Sequence, residues 1–408
     1  MLRAVHPVTV APADYDPVML LRGLPTQRVS RGDGPVRPWT FRAADVLPIA
    51  VTRYDGSAAT VADVFAGTCT DAYAVAQDGV LVAEDWAPDG SPSQAHAVMS
   101  VTKSVVGCVA GVLAGRGLLD VDRRVEELVP ELAASGYAGA TARHLLDMRS
   151  GVRFREDYTD PRSDVRRLES WIGDRGIYAF LATLGAETGH GGRFLYRSAE
   201  TDVLGWVCER AAGAPMADLM STLLWAPLGA ERDADLLCDA TGTAVHDGGL
   251  AVTARDLLRF GQLLLDGGAL PDGTGVVPPQ WLRQAWAVDS GTRRAFLESP
   301  AEPTFPGGWY RDQFWFRPGA HGDVLLGLGI HGQMLHVSRR TRTVCVKLSS
   351  WPDPQNPAYL QDTLRALDAI GGALTGEAPS SDRHRLPGVV SGLNRSGTSS
   401  RRRGGSVI

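Results

Sequence analysis

Lysine is nearly missing from this 408-residue chain: all but two of its 41 basic residues are arginine, and the exceptions are Lys103 and Lys347. Arginine stays protonated in any protein environment, whereas a lysine can lose its proton near neutral pH. A chain with this bias spends lysine where a titratable amine has a use. The wider arginine, alanine and glycine bias reflects a GC-rich genome and says little about function. Cysteine is also sparse, with five residues (Cys69, Cys108, Cys208, Cys238 and Cys345) that are scattered, odd in number and without CxxC spacing. That argues against a disulfide framework and a zinc site, and the five read as free core thiols in a reducing compartment. A strong charge of either sign is missing too, since a net charge of −5 gives no pull towards nucleic acid or an anionic membrane. No apolar run is long enough to span a bilayer, and Met1 to Asp16 contains no apolar core of a secretory signal. Cytoplasm is therefore the expected location, with neither membrane nor nucleic acid as partner.

The stretch around which the chain is organised begins at His96 and ends at Gly117. From Ser104 to Ala114 it is almost wholly apolar and rich in small residues, which predicts a helix buried on every side and stopped by Gly117. At its mouth, Ser100 and Lys103 stand three apart, on one face of the first turn. A hydroxyl there lies near the positive end of the helix dipole and near unpaired backbone N–H groups. An amine within reach can take its proton if burial holds that amine neutral. The alternative is a Ser100 that caps the helix and a Lys103 that reaches back to solvent.

The rest of the pattern supplies the frame. Residues 1–38 are rich in Pro, Arg and Gly and read as an N-terminal extension wrapped on the surface. Residues 71–86 predict a hairpin turning at Asp78-Gly79. From 118 to 249 the chain is mainly helical, with Thr141 capping 142–148, a polar excursion over 154–163, and a glycine-rich loop passing into a helix over 202–212. Thr253 caps another helix that ends at Gly267-Gly268. Residues 309–316, 324–330, 334–337 and 343–349 predict antiparallel strands, and 358–374 a last amphipathic helix. Strands towards both ends with helices between them suggest one α/β domain, 39–117 and 250–375, interrupted by a helical insertion over 118–249. Residues 376–408 lack periodicity and read as a disordered tail.

Three pieces follow one another in chain order: Ser100-x-x-Lys103, Tyr196-Arg-Ser198, and Gly329-Ile-His331-Gly-Gln333. This order resembles the serine β-lactamase and penicillin-binding-protein superfamily. The runs 99–104 (Met-Ser-Val-Thr-Lys-Ser), 143–152, 156–160 and 201–206 are similar to one branch of it, the class C-like esterases and 6-aminohexanoate-dimer hydrolases. The resemblance implies an α+β fold with an antiparallel sheet flanked by helices. It also implies a serine hydrolase that cleaves small linear amides or esters through an acyl-enzyme, with no metal or cofactor. Two departures stand out: Ser198 occupies a position where β-lactamases commonly carry Asn, and His331 replaces the Lys of the third box. A penicillin carboxylate would thereby lose its cationic partner.

Acyl transfer needs a nucleophile, a base, an acid for the leaving group and donors for the oxyanion. Ser100 supplies the hydroxyl, and Lys103 or Tyr196 takes its proton, the choice between them being open. Tyr196 protonates the leaving group, and the N–H groups of Ser100 and Met334 are the expected oxyanion donors. Among substrate-binding residues the resemblance implies Tyr158, on a loop over the substrate, together with Ser198 and His331. Glu169 and Asp247 fall near positions that meet a substrate amine, although each reads equally well as a surface charge. A carboxylesterase with little amidase activity, a β-lactamase- or D,D-peptidase-like enzyme and a catalytically silent binding relative are the competing readings. The oligomeric state is open, a homodimer included.

Overall fold

The computed structural model describes residues 25–376. The proposed tail therefore lies outside the described residues apart from Gly376, as do residues 1–24. At the centre is an eight-stranded sheet whose spatial order runs Trp309–Arg311, Phe314–Gly319, Gly322–Gly329, Gln333–Ser338, Thr343–Ser349, Thr70–Gln77, Val80–Trp86 and Thr40–Phe41. All neighbours are antiparallel except the last pair. The expected hairpin is present, with Asp78 and Gly79 both at positive φ in its turn. The expected single strand over 309–316 is instead two strands, because Asp312 and Gln313 both adopt left-handed φ and turn the chain back on itself. Residues 25–38 do more than wrap the surface. Thr26–Val29 is a strand paired with Ala234–Leu237, in a second sheet completed by Leu250–Val252 and His96–Ala97.

The Ser100 helix, Val101–Gly115, has every residue from Val101 to Leu113 buried, as its small-residue composition requires. Small residues also let neighbours come close: a Cβ on Gly107 would lie 2.5 Å from Asp312 O, and one on Gly111 would lie 2.7 Å from the Trp281 ring. Thr141 and Thr253 cap their helices as predicted, each accepting from the backbone N–H three residues on. The helix expected from Asp202 begins four residues earlier and spans Ser198–Ala212. Four of the five cysteines are buried, but Cys69 is exposed, so it is no core thiol. Among the described residues no helix is long and apolar enough to cross a membrane.

Candidate active site

Ser100 is delivered by strain. Met99, immediately before it, is held at φ 47°, in the left-handed region that non-glycine residues rarely enter. The following amides at Val101, Thr102 and Lys103 are spent on the carbonyls of Val98, Met99 and Ser100, at 3.1, 2.9 and 3.1 Å. That leaves the amide of Ser100 itself as a candidate donor to a bound oxygen. The Ser100 side chain makes no capping bond to its own helix. It accepts instead from Lys103 Nζ at 2.9 Å.

Lys103 does not reach solvent; it is buried and donates also to Ser198 Oγ at 3.2 Å and to the Asp247 carbonyl at 2.6 Å. The Asp247 carboxylate lies 3.5 Å from the same nitrogen. Burial pulls the lysine pKa down, as the sequence suggested, but Tyr196, Asp247, Glu156 and Asp202 outweigh it and raise the pKa above the ordinary lysine value. Burial alone favours the neutral amine expected from the sequence, and these neighbours push the other way, towards the ammonium form.

Tyr196 is buried and stacks on Trp315 with ring centroids 5.2 Å apart, while Tyr310 meets it edge-on at 6.1 Å. Its backbone is pinned on both sides, with Leu195 N on Met148 O at 3.1 Å and Arg197 N on Met148 Sδ at 3.3 Å. The Lys103 nitrogen lies 5.3 Å from the Tyr196 ring centroid. Burial raises the phenol pKa; Lys103 and a hydrogen bond with Ser100 pull back against it without cancelling it. Ser100, Lys103 and Tyr196 thus form one compact, buried proton-sharing unit.

Two carboxyl groups that the sequence did not single out complete it. Glu156 is gripped by Ser198 Oγ at 2.6 Å, Ser198 N at 2.9 Å and Tyr158 OH at 2.7 Å. Burial raises its pKa against the pull of Lys103 and of these donors. Asp202 Oδ1 accepts from Asp247 N at 3.1 Å and so fixes the peptide whose carbonyl holds Lys103, while Oδ2 has no partner among the described residues. Burial, and then the Asp247 carboxylate, push the Asp202 carboxyl well above the usual range. Both acids lie inside runs on which the family resemblance rested, 156–160 and 201–206, and that was the only sequence signal for them.

The remaining expected site residues divide. Tyr158 is half-buried and faces inward to Glu156, so it is no free loop aromatic. Ser198 joins the site, but its one proton goes to Glu156 and its lone pair faces Lys103, so it has no donor left for a substrate. Asp247 is bound to Lys103, through its carbonyl at 2.6 Å and with its carboxylate 3.5 Å away. Glu169 is half-buried and paired with Arg166 at 2.5 Å; burial still raises its pKa to about 7, helped by Asp247 and Glu156. His331 is buried, at φ 59°, and its Nδ1 bonds Trp351 O at 2.7 Å, which makes that nitrogen the donor. Burial lowers its pKa and so disfavours the charged imidazolium that an anionic ligand would need.

Met334 does not fit its expected role. It lies inside a central strand, opposite Leu328 on one side and Lys347 on the other, where its N–H belongs to a ladder. The backbone that presses on the Ser100 turn is Gly329, where a Cβ would lie 2.6 Å from Val98 O and 3.0 Å from Met99 Cβ.

The Beta-lactamase family model matches residues 61–370. A 6-aminohexanoate-dimer hydrolase of Paenarthrobacter ureafaciens is 40% identical over 370 residues, covering 83% of this chain and 93% of that protein. Among solved structures, a Bacillus anthracis protein assigned to the 6-aminohexanoate-dimer hydrolases superposes with a TM-score of 0.79 at 23% identity, covering 88% of this chain and 94% of that one. A family VIII carboxylesterase superposes with a TM-score of 0.56 at 18% identity, covering 76% and 96%. These last two speak for the fold alone. Matched by the family over most of its length, and 40% identical in the aligned stretch to a relative covered almost end to end, the chain belongs to the Beta-lactamase family.

Proposed function

We propose that the protein is a serine hydrolase that cleaves small linear amides and esters through an acyl-enzyme on Ser100. The observation that carries this reading is the 2.9 Å hydrogen bond between Lys103 Nζ and Ser100 Oγ in a buried site. Ser100 Oγ attacks the substrate carbonyl, and its proton passes into the Lys103–Tyr196 pair. The oxyanion forms against the Ser100 amide. Tyr196 then protonates the leaving amine or alkoxide, and water releases the acyl group by the reverse proton route. With the neighbours of Lys103 favouring its ammonium form and burial favouring the neutral phenol of Tyr196, the pair has to shed one proton before it can accept another. Activity should therefore climb as pH rises above neutral.

Within this class, linear oligomers of ω-amino acids are the sharpest substrate candidate, supported by the name of the Paenarthrobacter ureafaciens relative. Glu169, with a pKa of about 7, is one candidate carboxyl for a substrate ammonium, although Arg166 competes for it. The lowered pKa of His331 weighs against substrates held through a carboxylate in that box. The test is labelling with a fluorophosphonate probe and peptide mapping by mass spectrometry, followed by a panel of short esters, linear amides and a cephalosporin. Modification at Ser100 with turnover of esters and amides is expected. An unlabelled Ser100 would overturn the reading.

A further inference from the structure

Ser198 presents a problem of proton arithmetic. An ammonium can only donate, so Ser198 Oγ, 3.2 Å from Lys103 Nζ, must accept from it and place its own single proton elsewhere. Glu156 Oε1, 2.6 Å away, takes that proton, while Oε2 accepts the Ser198 N–H at 2.9 Å. Ser198 is the first residue of a 15-residue helix whose own N-cap, Arg197, supplies no side-chain acceptor. The Arg197 guanidinium is turned instead to Glu200, at 2.9 Å, and to Leu195 O, at 3.2 Å. Glu156, 42 residues earlier, therefore does from a distance what an N-cap side chain does locally. Its Oε1 also accepts the Tyr158 hydroxyl at 2.7 Å.

We propose that Glu156 is a positioning residue for acylation: it ties the Tyr158 loop to the start of the Ser198 helix and aims the Ser198 lone pair at Lys103. This rests on the catalytic reading of Ser100, Lys103 and Tyr196. The serine at position 198 makes Glu156 necessary, because a hydroxyl has one proton and needs a fixed acceptor to decide where it points. An amide side chain would carry its own separate donor and acceptor. The charged and titratable groups that face Lys103 are Tyr196, Asp247, Asp202 and Glu156, and those that face Glu156 are Lys103, Tyr158, Tyr196 and Glu169.

The test compares E156Q, S198A and the double variant with wild type, using p-nitrophenyl acetate and the full chain from about pH 6 to about pH 10. Glutamine keeps the shape of the side chain but loses one acceptor and the charge. E156Q should lose about 10- to 100-fold in kcat/KM with KM little changed, the size expected for a hydrogen bond to a charged group. Its acidic limb should also move to lower pH, since one anion facing the ammonium is gone. S198A should lose a similar factor, and the double variant no more than either alone, because the two residues act in series. A wild-type rate and an unmoved limb in E156Q, or additive losses in the double variant, would overturn the proposal. If E156Q does not fold, S198A decides alone, and a wild-type rate there overturns it. The control is S100A: if that variant stays active, the underlying site reading fails, whereas an inert S100A beside an unaffected E156Q sinks only the role of Glu156.

Discussion

Lys103 and Lys347 are the same side chain in two opposite situations. Both are fully buried. Lys347 donates to Thr68 O at 3.2 Å and Ser349 Oγ at 2.5 Å, and it lies 5.9 Å from the ring centroids of Phe65 and Trp351. Burial dominates there and lowers its pKa to about 7, with Asp71 and Cys69 opposing only partly. Around Lys103 a comparable burial is outweighed by Tyr196 and three carboxyl groups. The difference teaches that burial sets the penalty on a charged amine, while the ionisable neighbours decide whether the charge survives. It also shows what a scarcity of lysine can and cannot say: the signal finds two buried amines, each bonded to a serine hydroxyl, and only around Lys103 do ionisable neighbours outweigh burial.

The largest break in this comparison is made at Lys103. Lys103→Ala should lose about 10²- to 10⁴-fold in kcat/KM for a neutral ester, the usual worth of a positioned general base. Lys103→Arg should fare almost as badly although it keeps the charge, because a guanidinium cannot give up its proton. Wild-type kcat/KM should rise with pH above neutral, and the arginine variant should show no such rise. A folded Lys103→Arg enzyme within tenfold of wild type would argue that the lysine acts as a fixed charge.

Lys347 should show its difference in stability. Its folded pKa of about 7 lies below the ordinary value of 10.5. Between those values the unfolded chain holds the extra proton, so stability should rise with pH across that window and level off above it. The slope contributed by this one group is about 1.4 kcal/mol per pH unit. Lys347→Met fills a similar volume without titrating, so the wild-type stability minus that of the variant should climb with pH in denaturant melts. A difference that stays flat from neutral to alkaline pH would show that Lys347 keeps its proton in the fold.

Much of this was legible in the chain, and the failures have a common cause. Spacing, lysine scarcity and resemblance together located Ser100, Lys103 and Tyr196, because the first two share one helical turn and the third closes a recognisable loop. Glu156 and Asp202 were not legible as site members, since a buried acid looks like a surface acid until the partner that buries it is known. Those partners lie 42 and 45 residues away. The early start of the Ser198 helix escaped notice for the same reason, its cap being Glu156 and no neighbour in sequence. Asp247 was weighed as a carboxylate, but its backbone carbonyl makes the shorter contact with Lys103, and no side-chain pattern reports a carbonyl. The strand read over 309–316 missed its turn because Asp312 and Gln313 take positive φ without a glycine to announce it.

The smallest expected effect is at Glu169. Because Arg166 already pairs with it, Glu169→Gln should change the preference for an amino-terminated amide over its N-acetyl form by less than about tenfold, below the full worth of one charge-assisted bond. Equal kcat/KM ratios in wild type and variant would show that Glu169 does not read an ammonium.

The contrast between the two lysines can be read directly, because the chain contains only these two. Protein grown with lysine labelled by nitrogen-15 at the side-chain amine should give two resonances, assigned by the loss of one in Lys347→Met. The predicted result is one signal that titrates near pH 7 and vanishes in that variant, and one that keeps the shift of an ammonium through neutral and mildly alkaline pH. A Lys103 signal that moves to the neutral-amine position at or below neutral pH would contradict it, and would return the site to a lysine held neutral by burial.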